Sequence, residues 1–314
     1  MSKENPGIVI LGPTASGKTA LAISLALQFQ GEIVSCDALQ VYKHMNIGTA
    51  KTLPPQQQGI PHHMLDVQEP DRDFSAGDYQ RLARASVRDI HGRGRLPFVA
   101  GGTGFYLRAL IEGLFEGPAR SEELRARMRK IVARKGTRCL HGILRRIDPI
   151  SAARIAESDT ERIIRACEVY LVSGKPMHWW QQQPRDAFRG IRWLKIGIAL
   201  PRELLYQRIE QRVDAMFQSG LPEEVKGLLA RYPRTSHAFT AIGYRQVAAF
   251  FDGQCSLDQA VEETKKESRH YAKRQLTWFR ADPTIVWLDG RLEFGALQED
   301  AANLIRAFLG EAER

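Results

Sequence analysis

The chain has 314 residues, of which 43% are hydrophobic, and a formal net charge of +9. This length allows one large domain with an insertion, or two domains, around a full hydrophobic core. The four cysteines lie far apart and form no C-x-x-C pair, which argues against a zinc site or a disulfide framework. No long apolar segment or cleavable signal precedes the first predicted strand, so we expect a cytoplasmic protein without a membrane segment. We also expect the protein to act as a monomer.

Residues 8–19 combine an apolar strand pattern, a glycine-bounded turn and the start of a helical pattern. Gly12, Gly17, Lys18 and Thr19 match the phosphate-binding motif G-x-x-x-x-G-K-[ST]. In such a loop, backbone N–H groups and a helix N-terminus face the anion, the lysine adds positive charge, and the hydroxyl holds Mg²⁺. The alternative is an ordinary strand-to-helix turn. The predicted diphosphate or triphosphate site consists of Gly12, Pro13, Thr14, Ala15, Ser16, Gly17, Lys18 and Thr19, with Thr19 as the metal ligand.

A helix over residues 20–29 and a second strand over residues 32–37 follow. Asp37 therefore lies at the carboxyl end of a strand, where open α/β sheets bind ligands. We expect its carboxylate to face the phosphate loop; a turn or capping aspartate is the alternative. Residues 40–52 are predicted as loop. His62 and His63 suggest a packed or hydrogen-bonding pair rather than a metal site, because no third ligand lies at a recognisable spacing.

A helix over residues 80–91 and a third strand over residues 96–100 lead into Gly101–Gly104. An ATP hydrolase of this loop class often carries an acidic residue here to hold Mg²⁺, whereas this chain has three glycines and Thr103. Glycines in this position allow a ligand to approach the backbone closely. A plain turn is the alternative.

Residues 118–190 hold 16 Lys and Arg against 8 Asp and Glu, nearly all of the excess positive charge. Helix starts at Ser121, Asp148 and Asp159, without an intervening strand pattern, predict an all-helical insertion. Nucleic acid is the natural partner of such a segment, and a merely solvated basic face is the alternative. Trp179 and Trp180 are predicted in a loop, either as packing anchors or as stacking surfaces for bases.

The α/β pattern resumes with a strand over residues 191–200, helices over 201–220 and 223–232, a turn into a helix at 240–246, and a strand over 284–288. Residues 265–280 carry six basic residues against Glu267 alone, interleaved with Tyr271, Trp278 and Phe279. Charge and rings together suit single-stranded nucleic acid, although an ordinary amphipathic helix fits as well. The predicted fold class is α/β, a P-loop NTPase-like parallel sheet flanked by helices (residues 1–116 and 191–314), with an all-helical inserted domain at 117–190.

Taken together, the separated motifs resemble those of the tRNA dimethylallyltransferases, also called tRNA isopentenyltransferases, the IPP transferase family. The stretches concerned are residues 12–19, 35–43, 48–51, His62 and His63 with Asp66, 101–104, 243–246, 271–275 and 277–280. They follow the family's order over nearly the whole chain, so the set is far more specific than the phosphate loop alone.

The resemblance implies transfer of a dimethylallyl group from dimethylallyl diphosphate to N6 of the adenosine 3′ of the anticodon (adenosine 37) in tRNA, with Mg²⁺ as cofactor. Asp37 matches the family's catalytic aspartate, which would orient the amine and take its proton, and Thr103 would hydrogen-bond the leaving diphosphate. Both are also expected to touch the tRNA anticodon stem-loop. The implied tRNA contacts are Asp37, Ala38, Leu39, Gln40, Thr103, Arg125, Glu161, Arg162, Ile163, Ile164, Arg165, Thr240, Ala241, Ile242, Gly243, Tyr244, Arg245, Gln246, Val247, Lys273, Arg274, Gln275, Leu276, Thr277, Trp278, Phe279 and Arg280.

Ala38 departs from the family pattern, which commonly has serine there, and this puts a side-chain hydrogen bond at that position in doubt. Three other functions stay open on the residues alone. They are a small-molecule kinase using ATP, a prenyltransferase acting on free adenine nucleotides, and an RNA-binding protein without enzymatic activity.

Overall fold

The structure, a computed structural model, describes residues 4–310. Its contacts form two compact units, one holding the described residues up to Ile111 and from Phe188 onward, the other Glu112–Ala187. Six strands of the first unit form one parallel sheet in the order β3-β2-β4-β1-β5-β6. Their bounds are β1 Asn5–Leu11, β2 Gly31–Cys36, β3 His62–His63, β4 Leu96–Gly101, β5 Ile191–Ala199 and β6 Ile285–Asp289.

Helices cover both faces of this sheet, as a parallel sheet with continuous apolar strands requires. Those of the first unit are α1 Lys18–Gln28, α2 Ala76–Gly92, α3 Gly104–Ile111, α9 Arg202–Gln218, α10 Leu221–Leu229, α11 Tyr244–Phe251, α12 Leu257–Arg280 and α13 Phe294–Gly310. Leu21 of α1 and Ile305 of α13 belong to the core on one face, whereas Tyr79 of α2 and Phe279 of α12 belong to the core on the other. The prediction of a helix-flanked parallel sheet is confirmed.

The strand order brings three loops together. Because β4 lies between β1 and β2, the segments that follow these strands meet at the carboxyl edge of the sheet. They are the phosphate loop after β1, the turn at Asp37 after β2, and the glycine-rich segment after β4.

The second unit contains α4 Glu122–Lys135, α5 Thr137–Ile147, α6 Pro149–Arg154, α7 Thr160–Ser173 and α8 Met177–Gln181. Side chains of Ser121, Asp148 and Asp159 cap α4, α6 and α7 by accepting backbone N–H bonds, as predicted. Its own core includes Leu144, Ile163, Ile164 and Val169.

Several boundaries differ from the sequence interpretation. The insertion was placed at 117–190, but the compact unit is Glu112–Ala187, because Phe188 packs in the core of the first unit and its N–H donates to the carbonyl of Ile111. Trp179 and Trp180 lie in the short helix α8 rather than in a loop. The helices α3 and α13 and the two-residue strand β3 were not predicted.

None of the helices within residues 4–310 has the length and apolar character needed to cross a membrane. All four cysteines are free.

Candidate active site

The phosphate loop connects β1 to α1, where the motif predicts it. Lys18 is the first residue of α1, and its Nζ donates to the carbonyl of Pro13 at 3.2 Å. Ser16 is buried, and its hydroxyl has no hydrogen-bond partner within the described part of the chain. An orphaned buried donor beside a helix N-terminus suits an anion.

Asp37 follows β2 and combines the two roles considered for it. Its Oδ1 accepts the N–H groups of Leu39 at 2.9 Å and Gln40 at 3.4 Å, so the carboxylate closes a turn. The residue also lines the cavity that contains Lys18 and Thr19. The turn thus fixes the carboxylate beside the phosphate loop.

Thr103 is tied to the same turn. Its hydroxyl oxygen accepts the N–H of Ala38 at 3.0 Å, and its own N–H donates to the carbonyl of Cys36 at 3.1 Å. The Thr103 side chain is also hydrogen-bonded to Tyr271, which lines the cavity described below. Because Ala38 makes this contact through its backbone, the absence of a serine side chain does not disturb it.

Gln275 of α12 joins the phosphate loop to the glycine-rich segment. Its Oε1 accepts the N–H of Thr14 at 2.8 Å, and its Nε2 donates to the carbonyl of Gly102 at 2.9 Å. A Cβ on Gly102 would lie 2.1 Å from Nε2, so only glycine allows this approach. The absence of a side chain at Gly102 therefore allows Gln275 to bridge the two loops, an arrangement we call the internal clamp.

A cavity of about 1000 Å³ opens in front of these loops. Its remaining walls come from the loop at residues 48–52, one face of α9, residues 240–242 and one face of α12. The lining of α9 consists of Ile209, Arg212, Val213 and Met216, at helical spacing. The cavity thus combines a cationic end with an apolar wall.

Arg212 was missed by the sequence interpretation. Burial lowers the pKa of its guanidinium, and the Asp37 carboxylate opposes that shift. Burial also lowers the pKa of Lys18 to about 8, the Arg212 charge adds to this effect, and Asp37 counters it. A lone arginine on the otherwise apolar stripe of Ile209, Val213 and Met216 was the available signal.

The half-buried Glu224 and the buried Lys51 hold the loop at residues 40–52. Glu224 accepts the N–H groups of Asn46 at 3.0 Å and Ile47 at 2.9 Å, and the Tyr244 hydroxyl at 2.6 Å. The Lys51 Nζ, with its side chain 1% exposed, donates to the Tyr42 carbonyl at 2.6 Å and to Asp66 at 2.6 Å. This loop is consequently a fixed wall of the cavity.

His62 and His63 form hydrogen bonds, as predicted. A ring nitrogen of His62 contacts the Ile60 carbonyl at 2.9 Å, and His63 Nε2 contacts Glu32 at 2.7 Å. Within residues 4–310, no cluster of three or more His, Cys, Asp or Glu side chains is arranged to hold a metal ion.

Comparisons with known proteins agree with this arrangement. Residues 40–282 match the family model described as IPP transferase. The chain is 47% identical to the tRNA dimethylallyltransferase of Koribacter versatilis, covering 95% of this chain and 97% of that protein. It is also 47% identical to that of Geobacillus thermodenitrificans, covering 90% of each. The chain belongs to the IPP transferase family.

Solved structures of similar proteins share the fold. The full-length tRNA isopentenylpyrophosphate transferase from Bacillus halodurans matches with a TM-score of 0.73 and 38% identity, covering 99% of this chain and 98% of that one. A eukaryotic dimethylallyltransferase, described as acting on tRNA, matches with a TM-score of 0.73 and 27% identity, covering 91% of this chain and 74% of that one.

The tRNA contacts implied by resemblance to the IPP transferase family divide by burial. The cavity is lined by Asp37, Ala38, Leu39, Gln40, Thr240, Ala241, Ile242, Arg274 and Gln275. Exposed side chains are those of Glu161, Arg162, Thr240, Arg245, Lys273, Arg274, Thr277, Trp278 and Arg280.

Several of the implied contacts have buried side chains in this structure. These residues are Arg125, Ile163, Ile164, Ala241, Tyr244, Gln246, Val247, Gln275 and Phe279. Most pack in hydrophobic cores, and Gln275 forms the internal clamp. Ala241 and Gln275 nevertheless line the cavity.

Arg125 of this IPP transferase family member is a buried ion-pair residue in the helical unit. Its Nε donates to Glu168 at 3.1 Å and its Nη1 to Glu161 at 3.3 Å. Burial raises the pKa of Glu168, but hydrogen bonds from Arg165, the Ser121 N–H and Arg125 outweigh this effect and hold it below the ordinary value. Glu161 also pairs with Arg129.

Proposed function

We propose that this chain transfers the dimethylallyl group of dimethylallyl diphosphate to N6 of the adenosine 3′ of the anticodon in tRNA, giving N6-(dimethylallyl)adenosine and diphosphate. The carrying observation is that Lys18, Arg212 and Asp37 face one cavity in a chain of the IPP transferase family. Two cations suit a diphosphate, and one carboxylate beside them suits an amine that must lose a proton.

The cationic end of the cavity would bind the donor's diphosphate. Lys18, Arg212 and the N–H groups of the phosphate loop supply positive charge and hydrogen-bond donors there. Ile209, Val213 and Met216 offer an apolar wall for the five-carbon group. The cavity is large enough to hold this small donor together with a base.

The residues present fit a Mg²⁺ ion held through the substrate. Thr19 is exposed and lines the cavity, so its hydroxyl can serve as one oxygen ligand. Mg²⁺ commonly uses few protein ligands and completes its shell with phosphate oxygens and water. When bound, the ion would neutralise charge on the diphosphate.

In the reaction, N6 of adenosine forms a bond to C1 of the dimethylallyl group, and the bond from C1 to the bridging diphosphate oxygen breaks. The diphosphate leaves with the electron pair, stabilised by Lys18 and Arg212. Asp37 accepts a hydrogen bond from the amine, directs it at C1 and takes the proton that N6 loses. The Thr103 hydroxyl, which is hydrogen-bonded to Tyr271 in this structure, would turn to donate to the leaving oxygen.

The exposed basic face of α12 would contact the RNA backbone around the target base. Lys273, Arg274 and Arg280 are exposed there. The target adenosine must leave its stack to reach Asp37, which is easiest in a loop such as that of the anticodon. We also infer that the protein works as a monomer, alongside tRNA in the cytoplasm.

The test is transfer to an unmodified anticodon stem-loop in the presence of dimethylallyl diphosphate and Mg²⁺, followed by mass spectrometry of the RNA. We expect a gain of one dimethylallyl group, with a rate about 10²- to 10⁴-fold lower in Asp37→Asn. Asp71→Asn, at an exposed position outside the cavity lining, should retain the rate.

Other outcomes would select another function. Modification of free adenine nucleotides but not of the stem-loop would make the chain an adenylate prenyltransferase. ATP consumption with phosphoryl transfer and no change in RNA mass would make it a kinase. RNA binding without any reaction would leave it an RNA-binding protein.

A further inference from the structure

Two large aromatic side chains of the first unit are exposed close to Thr103. Phe105, the second residue of α3, is 50% exposed, and Trp278, near the end of α12, is 40% exposed. Neither is needed for the reaction described above. Exposed aromatic rings beside a ligand cavity indicate a contact surface.

The two rings belong to one surface. A Cβ on Gly104 would lie 2.1 Å from Cδ1 of Trp278, so the indole rests directly on the backbone just before Phe105. Arg108 lies three residues after Phe105 and therefore on the same side of α3. Its guanidinium is 5.5 Å from the centre of the Trp278 ring. Phe105, Arg108 and Trp278 form what we call the aromatic platform.

The aromatic platform continues to the cavity on both of its helices. Thr103, two residues before Phe105, is bonded to the turn that holds Asp37. Arg274, one helical turn before Trp278, lines the cavity. With Lys273 also exposed on α12, positive charge borders the rings. Rings flanked by cations suit a nucleobase attached to phosphates better than an apolar or cationic partner.

We propose that the aromatic platform stacks a base next to the target adenosine of the RNA substrate. The inference rests on the proposed function, since withdrawing the target base into the cavity would unstack its neighbour. An aromatic side chain replaces that lost stack without selecting a particular base, because every base has a flat π-face. The sequence alone did not single out Phe105 or Arg108.

The test compares Phe105→Leu and Trp278→Leu with Phe251→Leu, a matched change at an aromatic residue that is 40% exposed outside the cavity lining. Labelled anticodon stem-loop is titrated by fluorescence anisotropy, and KM and kcat are measured for transfer. We expect Kd and KM for the RNA to rise about tenfold in the platform variants. The KM for dimethylallyl diphosphate should stay unchanged, as should all values for Phe251→Leu.

Stem-loops with an abasic nucleotide on the 5′ or the 3′ side of the target adenosine identify the stacked base. One of them should remove the difference between wild type and Phe105→Leu, because the ring would have nothing to stack on. Two results would overturn the proposal. Phe105→Leu could lose the same affinity for the intact stem-loop and for both abasic stem-loops, or the platform variants could bind the intact stem-loop as tightly as Phe251→Leu does.

The two proposals fail separately. If the wild-type chain adds no dimethylallyl group to the RNA, the proposed function is wrong regardless of the variants. If the wild type does so while the platform variants keep its RNA affinity, only the aromatic platform is wrong.

Discussion

Cations that are buried or half-buried occur in both units of the molecule, but their surroundings differ. In the helical unit, Arg125 contacts Glu168, which is fully buried, and Glu161. In the α/β unit, burial lowers the pKa of Lys18 and of Arg212, and the Arg212 charge lowers that of Lys18 further. The Asp37 carboxylate counters both shifts. A cation paired with two carboxylates is held in the fold, whereas two cations that share one carboxylate are poised for an anion.

The largest effect is expected at Lys18. Lys18→Met should lower kcat/KM for the donor about 10³-fold, equivalent to about 4 kcal/mol. The substitution removes the desolvated ammonium that stabilises the leaving diphosphate. The free energy of unfolding, measured with urea, should stay constant or increase, since the substitution removes a desolvated charge that lies close to the Arg212 guanidinium. Lys195→Met, which removes a lysine paired with Asp282, is the control and should leave kcat/KM unchanged. A large loss of stability in Lys18→Met would contradict the comparison.

Arg125→Met should have the opposite effect, with a loss of stability rather than of kcat/KM for the donor. Removing one partner of a buried pair is expected to cost about 3 kcal/mol, because Glu168 loses one of the groups that compensate its charge. Hydrogen exchange of the α4 and α7 amides would measure this loss locally. The double variant Arg125→Met with Glu168→Met should regain much of it. Unchanged exchange in Arg125→Met would show that the pair is dispensable.

The pH dependence of kcat/KM for the donor should report the ionisation of the Lys18 ammonium. Its pKa of about 8 means that the binding form, which is protonated, is lost as pH rises through this value. We therefore expect kcat/KM for the donor to fall about tenfold per pH unit above pH 8. Lys18→Arg, whatever its absolute rate, should lack this alkaline decrease, because arginine stays charged. A decrease at the same pH in that variant would assign it to another group.

The smallest effect distinguishes two cations of α12. Arg269 is paired with Glu210 at 2.6 Å, whereas Lys273 is exposed and forms no ion pair with any residue in the range 4–310. Lys273→Ala should reduce the slope of log affinity for RNA against log salt by about 0.7 to 1. Arg269→Ala should change it less. Equal slopes for both variants would mean that pairing does not decide which cation meets RNA.

The charge pattern of the sequence predicted basic regions but not their use. Residues 265–280 contain six basic residues against one acid, yet Lys265 and Arg269 are neutralised by Asp214 and Glu210 of α9. Similarly, Arg125 belongs to the most basic segment and faces inward. Counting charges within a segment cannot find partners that come from another element.

The sequence predicted those site residues that follow strands, but not those contributed by distant helices. Lys18, Asp37 and Thr103 follow strands of a parallel sheet, so the topology alone places them at one edge. Arg212 comes from a helix with no motif, and its role depends on how α9 lies against the cavity. Gln275 was predicted as an RNA contact from the resemblance, and the structure shows in addition that it holds Thr14, 261 residues earlier in the chain.

By itself, the sequence determined the phosphate loop, the parallel α/β architecture, the helical insertion and the family resemblance, because each is written in residues close together or in a fixed order. Only the tertiary structure decided which charges are compensated and which rings are exposed. The partners of Arg125 and Lys195 lie 43 and 87 residues away, and Trp278 lies on the backbone at Gly104. Burial and pairing depend on neighbours in space, and these are set only when the elements pack.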